Sequence, residues 1–160
     1  MFKIGDYIAH PMHGAGVIES IVTKKINGSQ RDYYVLKLPV GDMVVMVPVS
    51  GCENIGVRSI ISRSEAENLF SAFSEIEISM TQNWNKRYRE NMDKIKSGNL
   101  LDVASVVKGL MCRDSERGLS TGERKMLHSA KQILISELVI ATNMDYDGVE
   151  KRLCAALEER

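Results

Sequence analysis

Residues 17–49, VIESIVTKKINGSQRDYYVLKLPVGDMVVMVPV, decide the first half of the fold. Three short runs rich in β-branched and aromatic residues, VIESIV, DYYVLKL and MVVMVPV, are separated by turn chemistry at Asn27-Gly28-Ser29 and at Gly41-Asp42. That is the pattern of consecutive antiparallel strands. Asn27-Gly28 is the strongest of these turn signals, because both central residues of a type I′ hairpin turn need positive φ. Pro39 and Pro48 cannot donate to a ladder, so they mark strand ends or edges. The β reading extends to about Ser62 and predicts a small curled antiparallel barrel over residues 1–62.

From Arg63 onward the apolar period is helical. Ser64 with Glu67 reads as a capping box before Leu69, Phe70 and Phe73. A second helix is expected from about Asn83 to Lys96, with Trp84, Tyr88, Met92 and Ile95 on one stripe and Ser97-Gly98 as its stop. Asn99 can cap a third helix carrying Leu100, Val103, Ala104, Val107, Leu110 and Met111. Ser120 with Glu123 opens a long fourth helix through Met126, Ala130, Ile133, Leu134 and Leu138, and a short last helix follows Asp145 with Val149, Leu153 and Leu157 inward. Short connections after the second helix favour antiparallel neighbours in one bundle. The expected class is therefore α+β, all-β then all-α, with a helical domain over residues 63–160.

With 160 residues and 44% hydrophobic composition, the chain can build one ordinary core or two small ones that share an interface. Lys+Arg and Asp+Glu are both 21, so no overall field draws it to nucleic acid or an anionic membrane. The distribution is uneven. Residues 84–131 hold 11 Lys/Arg against 6 Asp/Glu, whereas residues 63–83 hold 1 against 4 and residues 132–160 hold 3 against 6, so a basic block lies between two acidic ones. Cys52, Cys112 and Cys154 are odd in number and share no metal-type spacing, which suits a reducing compartment. No apolar run reaches the roughly 18 to 20 residues of a membrane span, and the opening MFKIGDYIAH lacks the order of a signal peptide, so a cytoplasmic location is expected.

Chemistry-bearing motifs are sparse. His10 and His13 in HPMHG have i, i+3 spacing, but a third metal ligand is missing, and Pro11, Gly14 and Gly16 give the segment a plain reading as a turn. No nucleophile elbow, Gly-rich phosphate loop or apolar carboxylate pair is present, so neither an enzyme nor a cofactor or metal site is expected. What remains is the basic run around the single tryptophan, Asn83-Trp84-Asn85-Lys86-Arg87-Tyr88-Arg89. Cations neutralise phosphates, and an indole can stack on or wedge against an unpaired base step. The stripe with Tyr88, Met92 and Ile95 points instead to a core tryptophan, while its place in the first turn points to exposure, and pattern alone leaves both open. Arg113, Arg117, Arg124 and Lys125 flank the next connection, either as a second basic cluster or as a solvated face.

Three segments, FKIGDYIAHPMHGAGVIE, NWNKRYREN and RDSERGLSTGERKML, together resemble the CarD/CdnL family of bacterial transcription regulators, over almost the whole chain. The resemblance implies a Tudor-like N-terminal barrel, similar to the polymerase-interacting module of the transcription-repair coupling factor, that binds the RNA polymerase β subunit. Lys24, Val35, Met46 and Pro48 fall where relatives make that contact. It also implies that the helical domain touches promoter DNA weakly and with little sequence preference at the upstream edge of the transcription bubble. Trp84 then aligns with a minor-groove wedge, Lys86, Arg87 and Arg89 with its basic companions, and Arg124 and Lys125 with a second basic pair. Simultaneous binding of polymerase and fork DNA would favour the open promoter complex through differential affinity, and tethering would make weak DNA binding sufficient.

Two other classes compete with this reading. A Tudor-like peptide or RNA module needs an aromatic cage, for which Phe2, Tyr7, Tyr33 and Tyr34 are the only candidates in the barrel; adjacent Tyr33 and Tyr34 point to opposite faces of a strand. An autonomous repressor would read a defined operator, commonly as a dimer. No symmetric dimerisation seam is legible, and a monomer is expected.

Overall fold

The computed structural model describes residues 1–158 and has the expected order, a β-barrel-like domain followed by a helical bundle. Five strands, β1 (Tyr7–His10), β2 (Gly14–Ile26), β3 (Ser29–Leu38), β4 (Met43–Pro48) and β5 (Arg58–Ser59), form one antiparallel sheet in the order β4-β3-β2-β1-β5. Its two edges, β4 and β5, do not pair, so the barrel stays open. The β2–β3 hairpin closes at Asn27 and Gly28, whose φ values of 52° and 80° are those the turn chemistry requires. A bulge between Ile18 and Ser20 shifts the parity of β2, so that Ile18 and Ile21 both fall on the side of Leu36 and Tyr34, while Ser20, Val22 and Lys24 face outward with Val35, Tyr33 and Arg31. Ile8, Ile18, Tyr34, Leu36, Leu38, Val47, Cys52 and Val57 fill the barrel.

The helices are α1 (Arg63–Phe73), α2 (Trp84–Lys96), α3 (Leu100–Arg117), α4 (Thr121–Thr142) and α5 (Tyr146–Glu158). Asn83, Asn99 and Ser120 cap α2, α3 and α4 through side-chain oxygens that accept from backbone N–H groups of the first turn. One cap differs from expectation. Helix α1 begins two residues early, with Ser62 and Glu65 forming the reciprocal box in place of Ser64 and Glu67. Two overlapping Ser-x-x-Glu patterns occur there, and the earlier start keeps Ala66, Leu69, Phe70 and Phe73 inward while freeing Glu67 for a bidentate contact to Arg152 of α5 at 3.1 and 3.0 Å. The bundle core runs from these residues through Val103, Val107, Leu110, Ala130, Leu134 and Leu138 to Val149 and Leu153.

The barrel and the bundle meet at a polar seam on α4. Gly14, with φ of 97°, lies against this helix, and a Cβ there would stand 2.5 Å from Ser136 Oγ. That hydroxyl accepts from Ala15 N–H at 2.9 Å. The next residue of α4, Glu137, is buried, and its carboxylate accepts from two guanidinium nitrogens of Arg58 at 2.6 and 2.9 Å and from the Ile61 backbone N–H at 2.9 Å. Arg58 also donates to Gly98 O at the α2–α3 connection. Strand β5, the linker after it and α4 are thus tied at one carboxylate, which fixes the orientation of the barrel on the bundle.

Candidate functional site

Two surfaces have chemistry that a partner could use. The first is the outward face of β4, β3 and β2. Inward Val45 and Val47 alternate with outward Val44, Met46 and Pro48, as the two-residue strand period requires. Val35 lies directly opposite Met46, Pro48 lies opposite Tyr33, and Lys24 pairs with Arg31 farther along the same face, so Lys24, Val35, Met46 and Pro48 share one surface about 13 Å long. Met43, Val44 and Met46 are exposed apolar side chains on an edge strand whose outer backbone groups have no partner strand among the described residues. Such an edge is a natural docking strip.

The second surface surrounds the N-termini of α2 and α4. Trp84 opens α2, and its side chain is packed on one side while 42% of the residue stays in contact with solvent. Its ring stacks on Tyr88, with centroids 5.2 Å apart and an interplanar angle of 19°. Indole Nε1–H donates to Ser120 Oγ at 3.0 Å, and Gly122 lies beneath the benzo edge, where a Cβ would come 3.4 Å from the ring. Trp84 therefore belongs neither to the core nor to free solvent: it is an exposed ring held in one orientation by polar and aromatic contacts. Lys86 and Arg89 on the same helix, and Arg124 and Lys125 near the start of α4, the helix that holds the indole, are exposed, Lys86 in a long i,i+4 pair with Glu90 at 4.0 Å.

Arg87 does not belong with them. Although the basic run placed it among the phosphate contacts, it is only 2% exposed. Its Nε and Nη2 donate to the two carboxylate oxygens of Glu123 at 2.9 and 3.2 Å, and Nη1 donates to Thr81 O and Gln82 O at 3.1 and 3.2 Å. A phosphate could reach this guanidinium only by displacing a buried carboxylate. Burial pushes the Glu123 carboxyl up, but the bond to Arg87, the charges of Arg87 and Arg113, and the Ser120 hydroxyl outweigh it and hold Glu123 below the usual carboxylate range. Arg113 comes within 3.9 Å of Glu123, and its Nε has no hydrogen-bond partner among the described residues. The sequence pointed to the Ser120–Glu123 pair only as a helix cap; that the same hydroxyl would also hold the indole is a contact between residues 36 positions apart and has no local signal.

Near the seam, His10 Nδ1 accepts from Met12 N–H at 3.0 Å and its ring lies 4.5 Å from that of His13. Burial and then the neighbouring His13 lower the His10 pKa to about 4. Among the described residues no helix is long and apolar enough to cross a membrane.

Comparison with known proteins places both modules. Residues 2–61 match the family described as CarD-like/TRCF RID domain, and residues 68–154 match CarD, C-terminal domain. A protein of Bacillus subtilis (strain 168) named "Putative transcription factor YdeB" is 38% identical over 140 residues, covering 88% of this chain and 92% of that one.

Proposed function

This chain belongs to the CarD family of transcription factors, and on that premise we propose that it stabilises the open promoter complex by binding the RNA polymerase β subunit and the upstream edge of the melted DNA together. The outward face around Val35, Met46 and Pro48, with Lys24 at its far end, holds the polymerase. Trp84, Lys86, Arg89, Arg124 and Lys125 hold the DNA, the indole against a base step and the cations against phosphates. One observation carries the reading: a single half-exposed indole, held rigidly, stands among exposed cations in a chain of zero net charge. Such a surface binds DNA weakly unless it is delivered by another contact, and the apolar sheet edge offers that contact.

The function is one of binding, without catalysis, by a monomer in the cytoplasm. Against the aromatic-cage alternative, Tyr34 lies inside the barrel with its hydroxyl on the Phe2 backbone, and Tyr33 faces the other way, so these two do not line a common cage. An autonomous repressor would hold its operator without polymerase and keep it at high salt.

The two surfaces should fail separately. Met46→Asp places a charge at an apolar contact and should weaken capture of the β subunit more than tenfold, with binding to bubble-containing DNA unchanged. Arg89→Glu should do the reverse, weakening every DNA sequence alike and flattening the salt dependence. Loss of both activities in either variant would sink the two-surface assignment.

A further inference from the structure

The ten residues between α1 and α2 have no regular structure, yet buried side chains hold both of their ends. Lys108, in the middle of α3, is fully buried, and its ammonium donates to Ser74 O at 2.9 Å and Ile76 O at 2.7 Å, at the C-terminal end of α1. The same ammonium lies 5.9 Å from the centre of the Phe73 ring. At the other end, Arg87 donates to Thr81 O and Gln82 O. Between them Met80 lies against Gly109, the neighbour of Lys108, so closely that a Cβ at 109 would displace its terminal methyl; Ile78 also touches that position. Carbonyls at a helix end and in a coil otherwise turn to water, and cations at a helix C-terminus are favourable. Here two cations on different helices draw four of them inward.

We infer that residues 74–83 form a strap, clamped by Lys108 and Gly109 of α3 at one end and by Arg87 at the other, which fixes where α2 begins and so sets the position of Trp84. Lys108 and Gly109 are then positioning residues for the tryptophan surface without touching it. The inference rests on the proposed DNA role of Trp84 for its functional consequence alone; the clamp itself is testable without DNA. Asn83, the last residue of the strap, caps α2, and Trp84 is the first residue of that helix, so slack in the strap reaches the indole with no flexible joint between.

The test uses the full chain, whose single tryptophan reports its own surroundings. At a temperature well below unfolding of the variant, Lys108→Met should shift Trp84 emission to the red and lower its anisotropy. Cleavage after Glu75 and Glu77 by a glutamate-specific protease should speed up about tenfold, as local opening of the strap becomes more populated. Lys108→Arg, which keeps a buried donor, should restore most of the wild-type signal. Gly109→Val leaves Lys108 in place and should give the same optical change by expelling Met80, so the inference stays open to refutation if Lys108→Met does not fold. With a duplex carrying a short unpaired bubble as probe, both variants should bind about tenfold more weakly while capture of the β subunit is unchanged. Wild-type emission, anisotropy and cleavage in both variants would overturn the strap. Altered emission with unchanged DNA binding, together with unchanged DNA binding by Trp84→Ala, would uphold the strap and remove the DNA role of Trp84 instead.

Discussion

Helix α4 carries two buried glutamates, Glu123 near its start and Glu137 fourteen residues later, about 21 Å along the axis, and each holds a different part of the molecule. Glu137 takes Arg58 and the Ile61 N–H and so orients one module on the other. Glu123 takes Arg87, shares Ser120 with Trp84, and so orients a single ring. The partners differ in exposure: the Arg58 side chain is 34% exposed and that of Arg87 only 2%. A guanidinium that keeps water can lose its carboxylate at moderate cost, whereas one fully removed from water cannot. Both carboxylates are buried, so the seam is only the more easily opened joint of the two and the tryptophan support is the more firmly fixed one.

The largest effect should follow from breaking the fixed joint. Arg87→Ala leaves Glu123 buried without its main partner and should destabilise the fold by about 3–5 kcal/mol, whereas Arg87→Met combined with Glu123→Leu should recover a large part of that loss. Chemical unfolding of the single and double variants provides the check. A loss below 1 kcal/mol for Arg87→Ala would mean that the pair is solvated, and the contrast with the seam would fail.

A smaller loss is expected at the seam. Glu137→Gln keeps the shape and one acceptor for Ile61 N–H but removes the charge facing Arg58, and about 1–3 kcal/mol should disappear. The melting curves should also differ in form: the Glu137 variant should separate the barrel transition from that of the bundle, while Arg87→Ala should lower the common transition without splitting it. Differential scanning calorimetry distinguishes the two.

The mildest effect is one of pH. His10 has its pKa lowered to about 4 from an ordinary 6.5, so the folded state favours its neutral form. Its contribution is complete above pH 6.5, declines as the unfolded chain takes up a proton first, and is exhausted below about pH 4. His10→Asn should flatten the stability profile between those limits and leave it unchanged above pH 7. An equally steep decline between pH 6.5 and 4 in the variant would place the titration elsewhere than His10; the depressed carboxyls of Glu67 and Glu123 lose their contributions only at more acid pH, below their ordinary value of 4.5.

Local chemistry made most of the fold legible. Hairpin turns, caps and apolar periods act over a few residues, and the three strands β2, β3 and β4, the starts of α2, α3 and α4 and the inward face of α3 follow from them; β1 and the two-residue β5 have no such local signal. The start of α1 was displaced because two capping patterns overlap and only packing chooses between them. At the candidate surfaces, alternation along β2, β3 and β4 brings Lys24, Val35, Met46 and Pro48 together. Arg87 shows what a charge run leaves out: NWNKRYR does not say which cation will meet a carboxylate 36 positions away, and the one that does is lost to solvent. Arg58 and Glu137, 79 apart, carry no local sign of each other. Lys108-Gly109 did carry one, since a lysine and a glycine inside the apolar run of α3 are costly there unless something occupies them.

Trp84→Ala separates the support of the ring from its contact with DNA, by thermal unfolding and open-complex lifetime measured on the same protein. The ring is held by one hydrogen bond, one stacked tyrosine and the edge of Gly122, so truncation should cost about 1 kcal/mol of stability, against about 3–5 for a core aromatic. Loss of stacking at the melted step, worth about 1–3 kcal/mol, should shorten the open-complex lifetime about tenfold or more while capture of the β subunit is unchanged. A collapsed melting temperature would return Trp84 to the core, and a normal open-complex lifetime would remove it from promoter binding.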